Sequence, residues 1–362
     1  MNVEINETEL DALYEDLAKY DLSPLWLLES DLMPTSPKPA TRPWLWRGET
    51  VRRLAQRAGA LVPIERGGDR RVMSLTNPGL GSAPFASSTL WGAVQYLGAH
   101  ESAPGHRHTP GAIRFVLQGE GVWTTVNGDA CEMRAGDLVL TPPWSWHDHS
   151  NPTDQPMIWF DGLDLPTVKA LDAVFFEEFA PHEQQPVRGR NTSQQLIGAG
   201  SGLVQSGRPD AHDGSSPLLR YDGETTDHAL SALVEHQGGT HVCLDYTNPL
   251  TGGPVLPTLA CEMHRLLPGP PARPSRRVGN RIFVAFRGSG RTVIAGTAFD
   301  WHQGDIFVVP SWSLVQHEVD APADLFAVTD LPIHRALGTF REEEVDDVQT
   351  VTDVFAPKEL TG

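Results

Sequence analysis

The chain's clearest capacity for chemistry lies in three histidines of one stretch, Gly105 to Asn151, GHRHTPGAIRFVLQGEGVWTTVNGDACEMRAGDLVLTPPWSWHDHSN. His106 and His108 stand one residue apart, and His147 sits near the end in a Trp/Pro/His turn. On a β-strand, residues i and i+2 point to the same face, so His106 and His108 can aim two imidazoles at one point. A later strand end can bring His147 to the same place. Three neutral imidazoles on a rigid sheet are a metal site, and this ligand set does not by itself separate Fe, Mn, Zn, Cu or Ni. A lone His-x-His pair would be ordinary surface or structural histidine; the third histidine in register raises it to a site.

Arginines gather around the same stretch. The run Glu65-Arg66-Gly67-Gly68-Asp69-Arg70-Arg71 is either a solvated loop or a source of arginines for a carboxylate ligand, which a guanidinium holds bidentately. Arg114 alternates with apolar Ile113 and Phe115, so it points away from them. It shares the facing parity of His106 and His108 if the strand is continuous. A buried arginine needs an anionic partner. No carboxylate flanks Arg114 in sequence, and a substrate carboxylate would serve.

The elements that must position these groups are mostly short strands. Residues 72–160 alternate strands with Gly/Pro/Asn turns, the pattern of a small β-barrel or jelly roll. Asn127-Gly128 is a hairpin turn between two of them. Before this region, Asn6 with Glu9 predicts a helix start, with Leu10, Leu13 and Leu17 on one face. Pro24 to Pro43 predicts irregular chain, and a second helix is expected over Glu49 to Ala58 with Val51, Leu54 and Ala55 inward. Beyond the barrel, helical periodicity is expected from Leu165 to about Phe179, a polar loop from Pro181 to Ser216, and a helix from Thr226 to His236.

A second β region, about Leu259 to Arg335, echoes the first. Phe286-Arg287-Gly288-Ser289-Gly290 parallels Leu117-Gln118-Gly119-Glu120-Gly121, and Gly304-Asp305 with Pro310-Ser311-Trp312-Ser313 parallels Gly136-Asp137 with Pro142-Pro143-Trp144-Ser145. The chain is an internal duplication. Aligned on these turns, His106 and His108 map to Ser275 and Arg277, and His147 to Val315; only His317 echoes His149. The copy is expected to bind no metal and to act as structure. The expected organisation is an N-terminal helical arm and loop (1–71), a metal-binding barrel (72–165), a helical and loop linker (166–258), a degenerate barrel (259–345) and a C-terminal tail (346–362).

Composition excludes several classes. The 362 residues carry 28 basic and 46 acidic side chains, a formal net charge of -18, against nucleic acid as a partner. Cys131, Cys243 and Cys261 form neither a disulfide framework nor a zinc cluster, which suggests a reducing cytosol. The acidic, amphipathic start MNVEINETELDALYEDL lacks the basic start and apolar run of a signal peptide. No run approaches the roughly 20 apolar residues of a membrane span. A soluble, cytoplasmic protein is expected.

The spacing of His106, His108, Gly119, Gly136, His147 and Asn151 resembles the two signature motifs of the cupin superfamily, with Ala112 where that family places a glutamate ligand. HRHTPGAIRFVLQGEG, TPPWSWHDHSN, WFDGLDLP and YTNPLTGGPVLPT resemble gentisate 1,2-dioxygenase and the related salicylate and 1-hydroxy-2-naphthoate dioxygenases, over most of the chain. The resemblance implies a mainly β bicupin, two tandem jelly-roll β-barrels with an N-terminal helical arm. It implies an extradiol-type, ring-cleaving dioxygenase with one Fe(II) per subunit in the first barrel, a small aromatic carboxylic acid and O2 as partners, and a homotetramer. For gentisate the product is maleylpyruvate. The family roles fall on His106, His108 and His147 as iron ligands, on Arg114 and His149 as catalytic residues, and on Arg66, Arg70, Trp91, Gln95, Arg114, Trp159 and Asp161 around the substrate. Three alternatives stand beside this reading: salicylate or 1-hydroxy-2-naphthoate as substrate, a bicupin that only binds an aromatic acid, and a cupin isomerase or lyase. The last class tends to keep the glutamate that Ala112 replaces.

Overall fold

The computed structural model describes residues 6–63, 71–180, 183–198 and 214–358. The chain divides into two units, Met1–Pro39 and Ala40–Gly362. In the first, Asn6 caps the helix Glu7–Lys19 by accepting from the Glu9 amide. A second helix, Leu25–Leu32, occupies the start of the stretch expected to be irregular. Pro24 sits just ahead of it, where a missing amide hydrogen does no harm. Trp26 Nε1 donates to the Tyr14 hydroxyl at 3.2 Å.

The second unit holds two jelly rolls of the same topology. In the first, one sheet orders the strands Arg220–Tyr221, Leu138–Thr141, Ala112–Gln118, Met157–Leu163, Trp91–Leu97 and Val72–Ser74. Its facing sheet orders Phe176–Glu178, Ser102–His108, His147–Ser150, Glu120–Val126, Asp129–Arg134 and Gly189–Arg190. The second jelly roll repeats this. One sheet runs Trp44–Trp46, Ile306–Val309, Arg281–Arg287, Ala323–Thr329, Ala260–Leu266 and His241–Tyr246. The other runs Glu342–Glu344, Ser275–Arg277, Val315–Glu318, Ser289–Ile294, Thr297–His302 and Asp353–Val354.

The duplication therefore reaches further than the turns suggested, and part of it is exchanged. Trp44–Trp46 precedes the first jelly roll yet pairs with the second, while Arg220–Tyr221 precedes the second and pairs with the first. Each is followed by a helix, Gly48–Leu61 and Gly223–Gln237, anchored by the same device. Asp305 accepts from Arg47 and the Gly48 amide, and Asp137 accepts from Arg220 and the Gly223 amide. These carboxylates sit at helix N-termini, where the free amides favour negative charge.

Alternation in the strands divides the apolar residues. Ile113 and Phe115 face the other jelly roll, where Phe115 stacks on Phe326 with centroids 4.1 Å apart. Val116, Val139, Met157 and Trp159 face inward with Val122, Cys131 and Met133 of the facing sheet. The hairpin turn has the expected left-handed pair, with φ 48° at Asn127 and 89° at Gly128.

Two further expectations change. The helix expected from Leu165 to Phe179 ends at Ala170. Asp172 at φ 53° turns the chain out of it, and Phe176–Glu178 becomes an edge strand paired to His106–His108. The apolar period there belongs to residues that stay exposed, among them Leu171 and Phe175. The segment expected as helix and loop (166–258) thus supplies strands to both jelly rolls. The helix expected over Thr226 to His236 is present as Gly223–Gln237, capped by Asp222.

Candidate metal centre

His106 and His108 lie on one face of Ser102–His108, and His147 begins the neighbouring strand directly opposite His106. Ring centroids are 4.2 Å apart for His106 and His147, 4.8 Å for His108 and His147, and 5.7 Å for the strand pair. One ligand atom from each lies within 4.8 Å of the others. The backbone sets the tautomers. Nδ1 of His106, His108 and His147 lies 3.2, 2.8 and 2.9 Å from the carbonyl oxygens of Pro104, Pro110 and Ser145. A carbonyl only accepts, so Nδ1 carries the proton and Nε2 carries the lone pair.

His147 Nε2 is buried with no hydrogen-bond partner. A buried polar atom left so is costly, and a metal ion between the rings would satisfy it. Burial, then His106, Arg114 and His108, hold the His147 ring well below its usual pKa, so it is neutral and able to ligate. The three histidines therefore fit a metal ion. Ala112, wholly buried, occupies the position of the absent glutamate.

The residue between the strand histidines points to the opposite face and clamps the site from outside. Arg107 pairs with Glu177 on the edge strand at 2.5 Å, and its guanidinium lies 4.3 Å from the Trp144 ring and 4.4 Å from that of Trp146. The Trp144 amide donates to the His108 carbonyl at 2.8 Å, from a left-handed backbone with φ 58°. The copy has the same parts, with Trp312 at φ 61° bonded to Arg277 and Arg276 paired to Glu343. These features recur where the three ligand histidines are absent, so the clamp is part of the shared fold, and in the first jelly roll that shared clamp backs the histidine strand.

Arg114 reaches the same interior by another route. Ser102–His108 and Ala112–Gln118 are separate strands in facing sheets, so the parity argument through a continuous strand does not hold. Arg114 faces inward because Ile113 and Phe115 are claimed by the apolar interface between jelly rolls. Nor does it lack a carboxylate. Asp161 lies directly across on the adjacent strand, with Oδ1 3.5 Å from Arg114 Nε. Arg114 also donates to Thr141, while its Nε makes no hydrogen bond. Burial pushes the Asp161 carboxyl up to about 6, against the pull of Arg114 and a hydrogen bond from Trp159 Nε1.

His149, Trp159 and Gln95 are buried around this pair. His149 Nδ1 is 2.9 Å from Thr124 Oγ1, and its ring lies 5.1 Å from that of Trp159. Gln95 and Trp159 are cross-strand neighbours. Trp91, half-buried at the start of the same strand as Gln95, donates to Ser74 Oγ at 3.0 Å. Thr124 and Thr141 were not singled out from the sequence, which has no motif for a threonine that orients a neighbour. Arg66 and Arg70 lie outside the described residues. Arg71 is structural: it pairs with Glu101, donates to the Gly59 carbonyl and lies over the Tyr96 ring.

Strand pairing verifies the degenerate alignment. Ser275 faces Val315 as His106 faces His147, and Arg277 stands where His108 does. All three histidines are gone from the second jelly roll. On another strand of that jelly roll, buried Glu262 and His264 lie beside the exposed Cys243, a grouping not expected from the sequence. The strand CEMHRL carries Glu262 and His264 at the same i, i+2 spacing as the His106/His108 pair, which was the available signal.

Residues 93–163 match the family model described as a cupin domain. The chain is 47% identical over 344 residues to gentisate 1,2-dioxygenase of a Streptomyces species, covering 92% of this chain and 94% of the relative. It is 39% identical to 5-aminosalicylate 1,2-dioxygenase of a Comamonas species, covering 93% and 91%. A variant of salicylate 1,2-dioxygenase from Pseudoaminobacter salicylatoxidans, solved with gentisate, superposes with a TM-score of 0.89 at 40% identity, covering 96% of this chain and 98% of that one. With a shared fold along nearly its whole length and a three-histidine centre built into the first of two jelly rolls, the chain belongs to the gentisate 1,2-dioxygenase family of ring-cleaving cupin dioxygenases.

Proposed function

We propose that the protein is an Fe(II)-dependent gentisate 1,2-dioxygenase, converting gentisate and O2 to maleylpyruvate by cleaving the ring between the carboxyl-bearing and hydroxyl-bearing carbons. Both oxygen atoms enter the product. The observation that carries this reading is the juxtaposition, in one jelly-roll interior, of three histidines with inward lone pairs and a buried arginine. Iron bound by His106, His108 and His147 would keep coordination positions open for a chelating hydroxy acid and for oxygen, and would pass electron density from ring to oxygen.

The chain's own groups would do the rest. Arg114, its orientation set by Asp161 and Thr141, would hold the substrate carboxylate and fix the ring at the metal. His149, neutral because burial and then Arg114 and His106 keep it well below its usual pKa, could accept or donate a proton near the oxygen. Trp91, Gln95 and Trp159 would wall the ring. Arg66 and Arg70 are proposed to complete the grip on the acid from the N-terminal side. The working form is proposed to be a cytoplasmic homotetramer.

Oxygen uptake by the Fe(II)-loaded protein on gentisate, salicylate and 1-hydroxy-2-naphthoate, with product absorbance, tests the proposal. Gentisate turning over fastest is expected. A preference for either other acid would reassign the substrate, and binding without oxygen consumption would sink the dioxygenase reading.

A further inference from the structure

We propose that the second jelly roll is a metal-free site for a small aromatic carboxylate, gripped by Arg277 and Arg281 where the first jelly roll holds its metal ligands. The inference starts from an uncompensated charge. Arg281 is 7% exposed and points inward on the same face of its strand as Phe283 and Ala285. Among the described residues no carboxylate lies within ion-pair distance of it, and its Nε has no hydrogen-bond partner. A buried, unpaired guanidinium is among the costliest groups a fold can keep. Arg277 also has an unpartnered buried Nε, and spends its Nη2 on Glu262 Oε1 at 2.6 Å.

The neighbours add to the imbalance. His264 Nε2 lies 3.2 Å from Glu262 Oε2 and its Nδ1 lies 2.9 Å from His241 Nε2, so both ring nitrogens have partners that suit an imidazolium. Burial alone would lower its pKa, but Cys243 and Glu262 outweigh that and push it up to about 9. Even with His264 neutral, two guanidiniums against the single buried carboxylate of Glu262 leave an excess of positive charge. Asp245 and Glu342 lie further out and are exposed.

The position of this charge is informative. By strand register Arg277 replaces His108, and Arg281 replaces Ala112, the place of the absent glutamate. A divalent ion in one jelly roll corresponds to two fixed guanidiniums in the other, and both suit an anion. A second cation would be repelled here, although Cys243, Glu262 and His264 have donor atoms within 4.8 Å of one another. A carboxylate fits the guanidinium fork. The aromatic lining, with Arg281 5.6 Å from the Phe283 ring and Phe283 stacked on Phe307, favours an acid with a ring over a purely inorganic anion.

The inference does not depend on the catalytic reading, and its test removes the first site. In the full chain carrying His106→Ala, His147→Ala and Arg114→Met, which removes both the metal ligands and the proposed carboxylate anchor of the first jelly roll, benzoate and maleate are titrated calorimetrically, with and without Arg281→Met. Saturable benzoate binding that weakens at least tenfold with Arg281→Met is expected, with maleate weaker than benzoate. Glu262→Gln, which frees Arg277, should tighten benzoate several-fold, and keeps the test open if Arg281→Met fails to fold. Unchanged benzoate binding in whichever of these variants folds, or maleate binding in preference to benzoate, would overturn the proposal. So would one equivalent of Zn2+ bound per chain and lost with His264→Ala, which would make the cluster a metal site. Arg281→Met in the otherwise native enzyme should leave its metal content and turnover unchanged.

Discussion

Arg114 and Asp161 sit opposite each other on adjacent strands, both almost wholly buried, with guanidinium and carboxylate 3.5 Å apart. The arginine proposed to hold the substrate carboxylate thus already faces a carboxylate of its own, and the two anions compete for one cation. Because burial raises the Asp161 pKa to about 6, its charge is present at neutral pH and fades in mild acid. Benzoate should bind to the first site more tightly as pH falls from 7 towards 5, and Asp161→Asn should show the tighter binding throughout. Calorimetry in the Arg281→Met protein, where benzoate has only the first site, measures this, and a pH-independent Kd there would remove the competition. The sign for stability is the same: a raised carboxyl stabilises the fold below its ordinary pKa and loses that contribution as pH rises through 6. Asp161→Asn should therefore not lower the denaturation midpoint at neutral pH.

Replacing Arg114 with Met should lower kcat/KM for the acid substrate by about 100-fold or more, the scale of losing a charge-assisted anchor in a dry site. Metal content should stay at the native level, because Arg114 is not one of the three histidine ligands and its guanidinium is engaged by Thr141 and Asp161. Steady-state oxygen uptake beside metal analysis separates the two effects, and unchanged kinetics would end its anchoring role.

Removal of His147 should abolish metal retention, since its buried Nε2 is the atom most in need of a partner. His147→Ala is expected to be metal-free after dialysis and inactive, yet folded, because the strand it begins stays paired on both sides. Metal held at native stoichiometry would mean that the ion sits elsewhere.

Arg107 tests whether groups behind the histidines tune the centre. It ties the Glu177 edge strand and the Trp144–Trp146 turn to the back of the histidine strand. Arg107→Ala should weaken metal affinity by about 10- to 100-fold, as is usual when the support of a ligand is lost. Competition with a chelator measures this, and equal affinity would make the clamp purely structural.

The second jelly roll should impose its own pH dependence on stability. His264, raised to about 9, contributes stability that is complete below its ordinary 6.5 and is lost as pH climbs through 9, worth about 3 kcal/mol for a shift of that size. Glu262, held below its ordinary 4.5, contributes above that value and loses it in acid. Maximal stability is expected between these limits. His264→Gln should flatten the alkaline side of a Tm-against-pH curve; an unchanged slope would count against a charged His264.

Much of this site was legible in one dimension because it depends on local periodicity. His106 and His108 share a face by the two-residue repeat of a strand, and Asn127-Gly128 announces its turn because few residues accept positive φ at both positions. The duplication was visible for the same reason, since left-handed turns demand the same residues in both copies. Periodicity misled where tertiary contacts took over. The apolar run after Leu165 suggested a longer helix, but the free edge of the histidine strand supplied better hydrogen-bond partners for Phe176–Glu178.

By itself the sequence determined the ligand types, their strand spacing and the loss of those ligands from the second copy, all of which follow from residue identity and the geometry of a single strand. Only the tertiary structure decided which charges meet. Asp161 finds Arg114 across 47 positions of sequence, and Arg277 finds Glu262, because sheet register brings together residues that chain order keeps apart. Burial then fixes the consequences: it raises one carboxyl, leaves the His147 Nε2 without a partner, and strands Arg281 in the interior of the other jelly roll.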